Sequence, residues 1–216
     1  MRSRLLPLAL MFVLGSQGLA QGSGVPAPGG TNANAPAGSL KPGVVRVGLQ
    51  TSQGLIVLEL ESERAPVTTA NFLRYVDRRR FDGITFYRAT KVGPGYGLIQ
   101  GGVRYDPKRV LPSIAHEPTT RTGLTHQDGT ISMARAGPGT ANGDFFICIG
   151  AMPSMDAQPD KPGDNLGFAA FGHVVDGMEI VRRILDAPTS PSEGAGAMKG
   201  QMLVAPVKIV SARRIP

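Results

Sequence analysis

The sequence predicts a mainly β domain, an antiparallel sheet or barrel whose openings are covered by helices. Three observations carry this expectation. Short runs rich in β-branched and apolar residues recur from residue 44 onward, only two stretches space their apolar residues helically, and strands and helices do not alternate regularly. A chain of 216 residues, 41% of them hydrophobic, suffices for one such core, and it contains no internal repeat.

The opening segment MRSRLLPLALMFVLGSQGLAQG places Arg2 and Arg4 before an apolar stretch at residues 5–14, with small residues at Gly18 and Ala20. Residues 1–20 therefore read as an export signal, and a periplasmic or secreted location is expected. The apolar stretch is shorter than the roughly 18 to 20 residues of a spanning helix, so no stable membrane insertion is expected. Residues 21–42, QGSGVPAPGGTNANAPAGSLKP, offer almost no large apolar side chain to offset the entropy of ordering. They read as a disordered linker, which leaves residues 43–216 as the folded domain.

That domain begins with VVRVGLQT and GLIVLELE, β-rich runs joined at Ser52-Gln53-Gly54 as a hairpin. In APVTTANFLRYVDRRRFDG, Val67, Ala70, Phe72, Leu73 and Val76 recur at near-helical spacing, and Pro66 suits a first-turn position. The run Arg78-Arg79-Arg80 is expected to end this helix, where cations meet the negative end of the dipole. ITFYRA then returns to strand, followed by a glycine-rich loop and a short LIQGG strand. Residues 101–127 read mostly as loop with short extended pieces. GTISMARA, DFFICI and GFAAFGHVV read as strands, DGMEIVRRIL as a second helix, and MLVAPVKIVSARRI as the closing strand.

Several chemistries are disfavoured. The net charge of +7 is scattered, without tryptophan and with 6% aromatics, which does not suit a nucleic-acid surface. His116, His126 and His173 lack metal-ligand spacing, and neither a nucleophile elbow, a P-loop nor a dinucleotide fingerprint is present. The single cysteine, Cys148, lies in the apolar run FFICIG and reads as a core residue.

What remains is an ordered set: FYR, LIQGG, SMARAGPGT with FFI close behind, and FAAFGHVVDGM. This set resembles the cyclophilin family of peptidyl-prolyl cis/trans isomerases, across nearly the whole of residues 44–214. The resemblance implies a closed eight-stranded antiparallel β-barrel capped by two α-helices, with no cofactor and no metal. It implies a monomer acting on proline-containing peptides and on unfolded or folding exported proteins. Carried over residue by residue, Arg88 is the catalytic arginine and Gln100 the substrate-orienting glutamine. Met133, Ala134 and Arg135 belong to the wall beside the residue preceding proline, Phe146 is the floor of the proline pocket, and Leu98 and Phe86 belong to the binding set.

Four positions depart from the family pattern. The family's pocket phenylalanine aligns with Gly97, so Tyr96 is expected to substitute for it. Arg135 replaces an asparagine, Asp144 a glutamine and Phe168 a pocket histidine. Without tryptophan, weak binding of cyclosporin is expected. A rival reading keeps the groove as a proline-peptide binding module or chaperone with little turnover, and a third makes the barrel a scaffold within an envelope complex. The retained Arg88 and Gln100 favour the enzyme.

Overall fold

The structure is a computed structural model in which residues 42–104 and 106–216 are described. The export-signal and linker readings fall outside the described residues, apart from Pro42. Strands β1 (Val44–Thr51) and β2 (Gly54–Glu61) form the expected hairpin, and helix α1 (Pro66–Asp77) follows. Next come β3 (Thr85–Gly93), β4 (Tyr96–Gly102), a single turn α2 (Thr119–Thr122), β5 (Thr130–Met133) and β6 (Asp144–Ile149). The chain closes with β7 (Ala169–Asp176), α3 (Met178–Asp186), β8 (Thr189–Ser190) and β9 (Met202–Ile215).

The sheet runs β1-β2-β7-β5-β6-β4-β3-β9, and β9 pairs back onto β1. Every pairing is antiparallel, and the two-residue β8 only flanks β9, so eight strands form a closed barrel. Closure leaves no long open edge for another chain to pair with. The interior collects the inward positions of successive strands, among them Leu49, Leu58, Ile99, Ile131, Phe145 and Phe171.

Two helices cover this core as expected. At the start of β6, Phe145 meets Phe72 of α1 edge-on at 5.3 Å, and α1 also buries Leu73, Tyr75 and Val76. Ile180, Val181, Ile184 and Leu185 of α3 pack at the other end, where Gly97 of β4 pairs with Ile149 of β6. Helix α2 was not foreseen; it is one turn within the irregular stretch 101–127 and ends at Gly123 in the left-handed conformation, φ 66°. The predicted glycine loop after Arg88 is also different: β3 and β4 extend through it as a hairpin, pairing Gly93 with Tyr96 around Pro94 and Gly95.

Helix α1 begins at Pro66 without a side-chain cap from Ala65. Its first-turn amides, which have no partner within the helix, are satisfied from a distance: buried Glu117 accepts from the Val67 and Thr68 N–H groups at 3.2 and 2.7 Å and from Thr68 Oγ1 at 2.7 Å. A carboxylate here also complements the positive end of the helix dipole. Glu117→Ala leaves these buried donors unpaired and is expected to cost about 2–3 kcal/mol by urea denaturation, with Glu117→Gln recovering part. A loss within a few tenths of wild type would show that water replaces the carboxylate.

The arginine run lies just past the helix: Asp77 is its last residue, and Arg79 adopts a left-handed φ of 53°. The turn is tied to β9 by bidentate Arg213–Asp82 and Arg214–Asp77 pairs, whose guanidinium groups hold both carboxyls below the usual range. Both pairs are partly exposed, so they orient the turn more than they stabilise the fold.

Candidate active site

Strand alternation builds a second apolar layer on the outside of the barrel. Along β6, Phe145, Ile147 and Ile149 face the interior, whereas Phe146 and Cys148 join Leu98 and Met152 in a separate outer cluster. All six residues of DFFICI are therefore buried although they serve two faces. Above this layer lies a cleft of about 570 Å³ lined by residues of β3, β4, β6 and the loops after β5, β6 and β8.

Register assembles the centre of the cleft. Arg88 of β3 pairs with Gln100 of β4, and Gln100 pairs with Phe146 of β6, so a cation, an amide and an aromatic ring stand in one row across three strands. At about 4.8 Å between strands, the row spans roughly 10 Å of backbone. A β-bulge creates its cationic end: β3 advances two residues, Phe86 to Arg88, while β4 advances one, Gly101 to Gln100. Phe86 points inward, and Tyr87 and Arg88 both reach the cleft. The glycines of QGG make this possible, because a Cβ at Gly101 would lie 2.9 Å from the Phe86 ring and one at Gly102 would collide with Asp144.

The Arg88 head group is fixed by neutral partners. Nη1 donates to Gln100 Oε1 at 2.7 Å, while Nε and Nη2 donate to Gln201 Oε1 at 2.8 and 2.6 Å. Burial pulls its pKa below the ordinary value, yet an arginine so placed stays charged at neutral pH. Gln100 is held at its other end, where Nε2 donates to the Tyr87 hydroxyl at 2.8 Å. Burial pushes the Tyr87 phenol up, and it does the same to Asp144, against which the Arg104 amide, donating at 2.9 Å, works.

The apolar seat adjoins this row. Phe168 meets Phe146 edge-on at 5.4 Å, with Leu98, Met152, Met155 and Ala134 around them. Arg135 holds Phe168 in place: its guanidinium lies 5.3 Å from the ring centre, pairs with Asp164 at 2.6 and 2.9 Å, and donates to the Gly167 carbonyl. Its charge is therefore matched within the wall rather than added to the cleft. Beneath Phe146 stacks His126, ring centroids 5.8 Å apart, with Nδ1 2.7 Å from Asp156 and Nε2 2.9 Å from Ser132 Oγ. Ser132 and His126 are both fully buried, so this Ser–His–Asp chain supports the floor and exposes no nucleophile. Cys148 is equally enclosed, and burial pushes its thiol up to about 12.

Of the residues singled out from sequence, Arg88, Gln100, Leu98, Ala134, Arg135, Asp144, Phe146 and Phe168 line the cleft. Three do not, and each has a physical reason. Phe86 is turned inside by the bulge and packs edge-on against Phe145 at 5.8 Å. Met133 occupies an inward position of β5, one residue out of phase with the cleft-facing Ala134. Tyr96 lies behind Leu98, its ring across Gly150 and its hydroxyl donating to the Ala151 carbonyl at 3.0 Å, so it does not replace an aromatic at Gly97. Gly97 itself, at φ 154°, has no room for a side chain beneath the Thr90 carbonyl. Val92 and Met198 add aliphatic surface to the cleft wall. Sequence reading also missed Tyr87, Gln201 and His126; the last two act across loops, and no local pattern marks them.

Known proteins resemble this chain in sequence and in fold. Residues 46–214 match the protein-family model described as cyclophilin type peptidyl-prolyl cis-trans isomerase/CLD. A peptidyl-prolyl cis-trans isomerase of Acinetobacter baylyi is 31% identical over 166 residues, covering 76% of this chain and 82% of that protein. One from Streptomyces antibioticus is 35% identical over 172 residues, covering 77% and 96%. Among solved structures, a cyclophilin-type isomerase of Cryptosporidium parvum superposes with a TM-score of 0.60 at 21% identity, covering 80% of this chain and 98% of that one. A second structure of that protein, determined in the presence of the dipeptide Ala-Pro, gives a TM-score of 0.59 at 22% identity, covering 79% and 99%. With a closed barrel, the ordered motifs in register and a family match over most of its length, the chain belongs to the cyclophilin-type peptidyl-prolyl cis/trans isomerases.

Proposed function

We propose that this isomerase works without a covalent step, with Arg88 as the group that stabilises the twisted prolyl amide. Rotation about a peptide bond has a barrier of about 18–20 kcal/mol because the nitrogen lone pair is delocalised into the carbonyl. The two X-Pro isomers are close in energy but exchange over tens to hundreds of seconds. When the bond is perpendicular, conjugation is lost, the proline nitrogen pyramidalises and its lone pair accepts a hydrogen bond. A donor aimed there binds the transition state better than either planar isomer.

The observation that carries this reading is the Arg88 guanidinium, held only by amide oxygens at the edge of an apolar seat. Its uncommitted N–H groups are the donors for the nitrogen. Phe146, Leu98 and Phe168 take the proline ring, and Ala134 and Arg135 offer the wall for the preceding residue. Gln100 keeps Arg88 in line and presents its amide to the carbonyl that rotates. The cleft is built from one chain, which suits a monomer. The test is an isomerisation assay on a short X-Pro peptide with wild type and Arg88→Ala, whose expected magnitudes open the Discussion.

The same proposal places the enzyme outside the cytoplasm, acting on folding exported proteins, with residues 1–20 as its signal and 21–42 as a linker. What supports this is the pair Arg2 and Arg4, the apolar stretch behind them and the small residues at Gly18 and Ala20. Mass spectrometry of the exported protein is expected to find an N-terminus at Gln21. A chain that keeps Met1 and stays in the cytoplasm would refute the assignment.

A further inference from the structure

We propose that Gln201 is a positioning residue for isomerisation, the group that sets the direction of the Arg88 fork; this rests on the reading of Arg88 given above. Gln201 lies 113 residues from Arg88, in the loop leading into β9. Its Oε1 is the meeting point of three donors: Arg88 Nε at 2.8 Å, Arg88 Nη2 at 2.6 Å and Thr90 Oγ1 at 2.8 Å. Turning the amide over would put its NH₂ against the guanidinium, so the donors define its orientation.

Gln201 is itself anchored on both sides. Its Nε2 donates to the Ala197 carbonyl at 2.8 Å, and its own carbonyl accepts from the Ala89 N–H at 3.0 Å. Arg88 is a long side chain with many rotamers, and a single contact to Gln100 would leave it free to pivot. Two donors of the Nε–Nη2 edge converging on the one Gln201 oxygen remove that freedom. With Nη1 committed to Gln100, what remains for substrate is one open N–H on each terminal nitrogen.

The neutrality of this partner matters as much as its place. A carboxylate could still accept from that edge, but it would lose the donor to the Ala197 carbonyl, and its charge would offset the field that Arg88 directs at the prolyl nitrogen. An amide holds the fork without that loss. The same loop carries Met198 into the cleft wall, so one segment supplies both an apolar surface and the alignment of the cation.

The test measures cis/trans exchange of an X-Pro peptide by NMR for wild type, Gln201→Leu, Gln201→Glu and Arg88→Ala, alongside the ¹⁵N signal of Arg88 Nε–H and the Met198 methyl signal. Gln201→Leu is expected to lower kcat about tenfold or more with KM nearly unchanged, and to abolish the protected Arg88 Nε–H signal. Gln201→Glu is expected to keep that signal yet turn over slowly at neutral pH. Its rate should rise as the pH falls through the pKa of the new carboxyl, since the protonated acid accepts hydrogen bonds without opposing Arg88. Wild-type kcat in Gln201→Leu overturns the inference, as does a KM effect with a shifted Met198 methyl and an unaltered Arg88 Nε–H. If Arg88→Ala also retains the wild-type rate, the reading of Arg88 falls too; if Arg88→Ala is slow and Gln201→Leu is not, only the role of Gln201 is lost.

Discussion

Replacing Arg88 by alanine is expected to lower kcat/KM for an X-Pro peptide by about a hundredfold to a thousandfold. Removing one well-placed donor to a developing lone pair or oxyanion typically costs that much, about 3–4 kcal/mol at 1.4 kcal/mol per factor of ten. The geometry makes the loss specific to the barrier. Arg88 is bound by Gln100 and Gln201, whose oxygens are both neutral, and its open N–H groups have no role in seating the proline ring. The peptide Kd should therefore change little, because Phe146, Leu98 and Phe168 remain. Arg88→Lys keeps the charge but loses the planar fork, and an intermediate rate is expected. Protease-coupled or NMR-exchange assays read the rate, and peptide titration reads the affinity. Equal rates for wild type and Arg88→Ala, with binding retained, would leave a proline-peptide binding module and sink the enzymatic role of Arg88.

Phe72→Ala is expected to destabilise the fold by about 3–5 kcal/mol, a large part of the 5–15 kcal/mol typical of a domain. Phe72 is fully buried and is the point at which α1 locks onto the barrel, with ring centroids 4.9 Å from Phe81 and 5.3 Å from both Phe145 and Phe171. Three neighbouring rings cannot all collapse into the space it vacates, because two of them stand on different strands of a closed barrel. Urea denaturation would measure the loss. Below the new midpoint, the isomerase rate per folded molecule should stay close to wild type, since Phe145 faces the interior and Phe146 the cleft. A cost below about 1 kcal/mol would mean that the barrel end relaxes freely and that α1 is held by other contacts.

These expectations draw unequally on sequence and structure. Helix α1 was legible because Phe72 and Val76 recur at its period, with Pro66 at its first position. In DFFICI the period of two follows from the strand itself, and it is what puts Phe145 and Phe146 into different apolar clusters. Phe86, assigned to the binding set by resemblance, lies inside the barrel because the β3 bulge shifts the phase by one residue between it and Arg88. The extended glycine hairpin escaped for a related reason: Lys91 pairs with Gly97 through backbone groups, which carry no side-chain signature.

The order of amino acids specified the strands, the two capping helices and the identities of the cation, amide and aromatic that meet in the cleft. Those features arise from local spacing and from motifs that occupy a few consecutive positions. Which face each residue would serve, and what would hold it there, was decided by the closed barrel. Glu117 reaches the start of α1, His126 underlies Phe146, and Gln201 grips Arg88 across 113 residues, all through contacts that exist only once distant strands are in register. The β3 bulge sits between a neighbouring strand, β4, and a distant one, β9, and the hydrogen bond to Gln201 exists only because pairing with β9 brings the end of the chain beside Arg88.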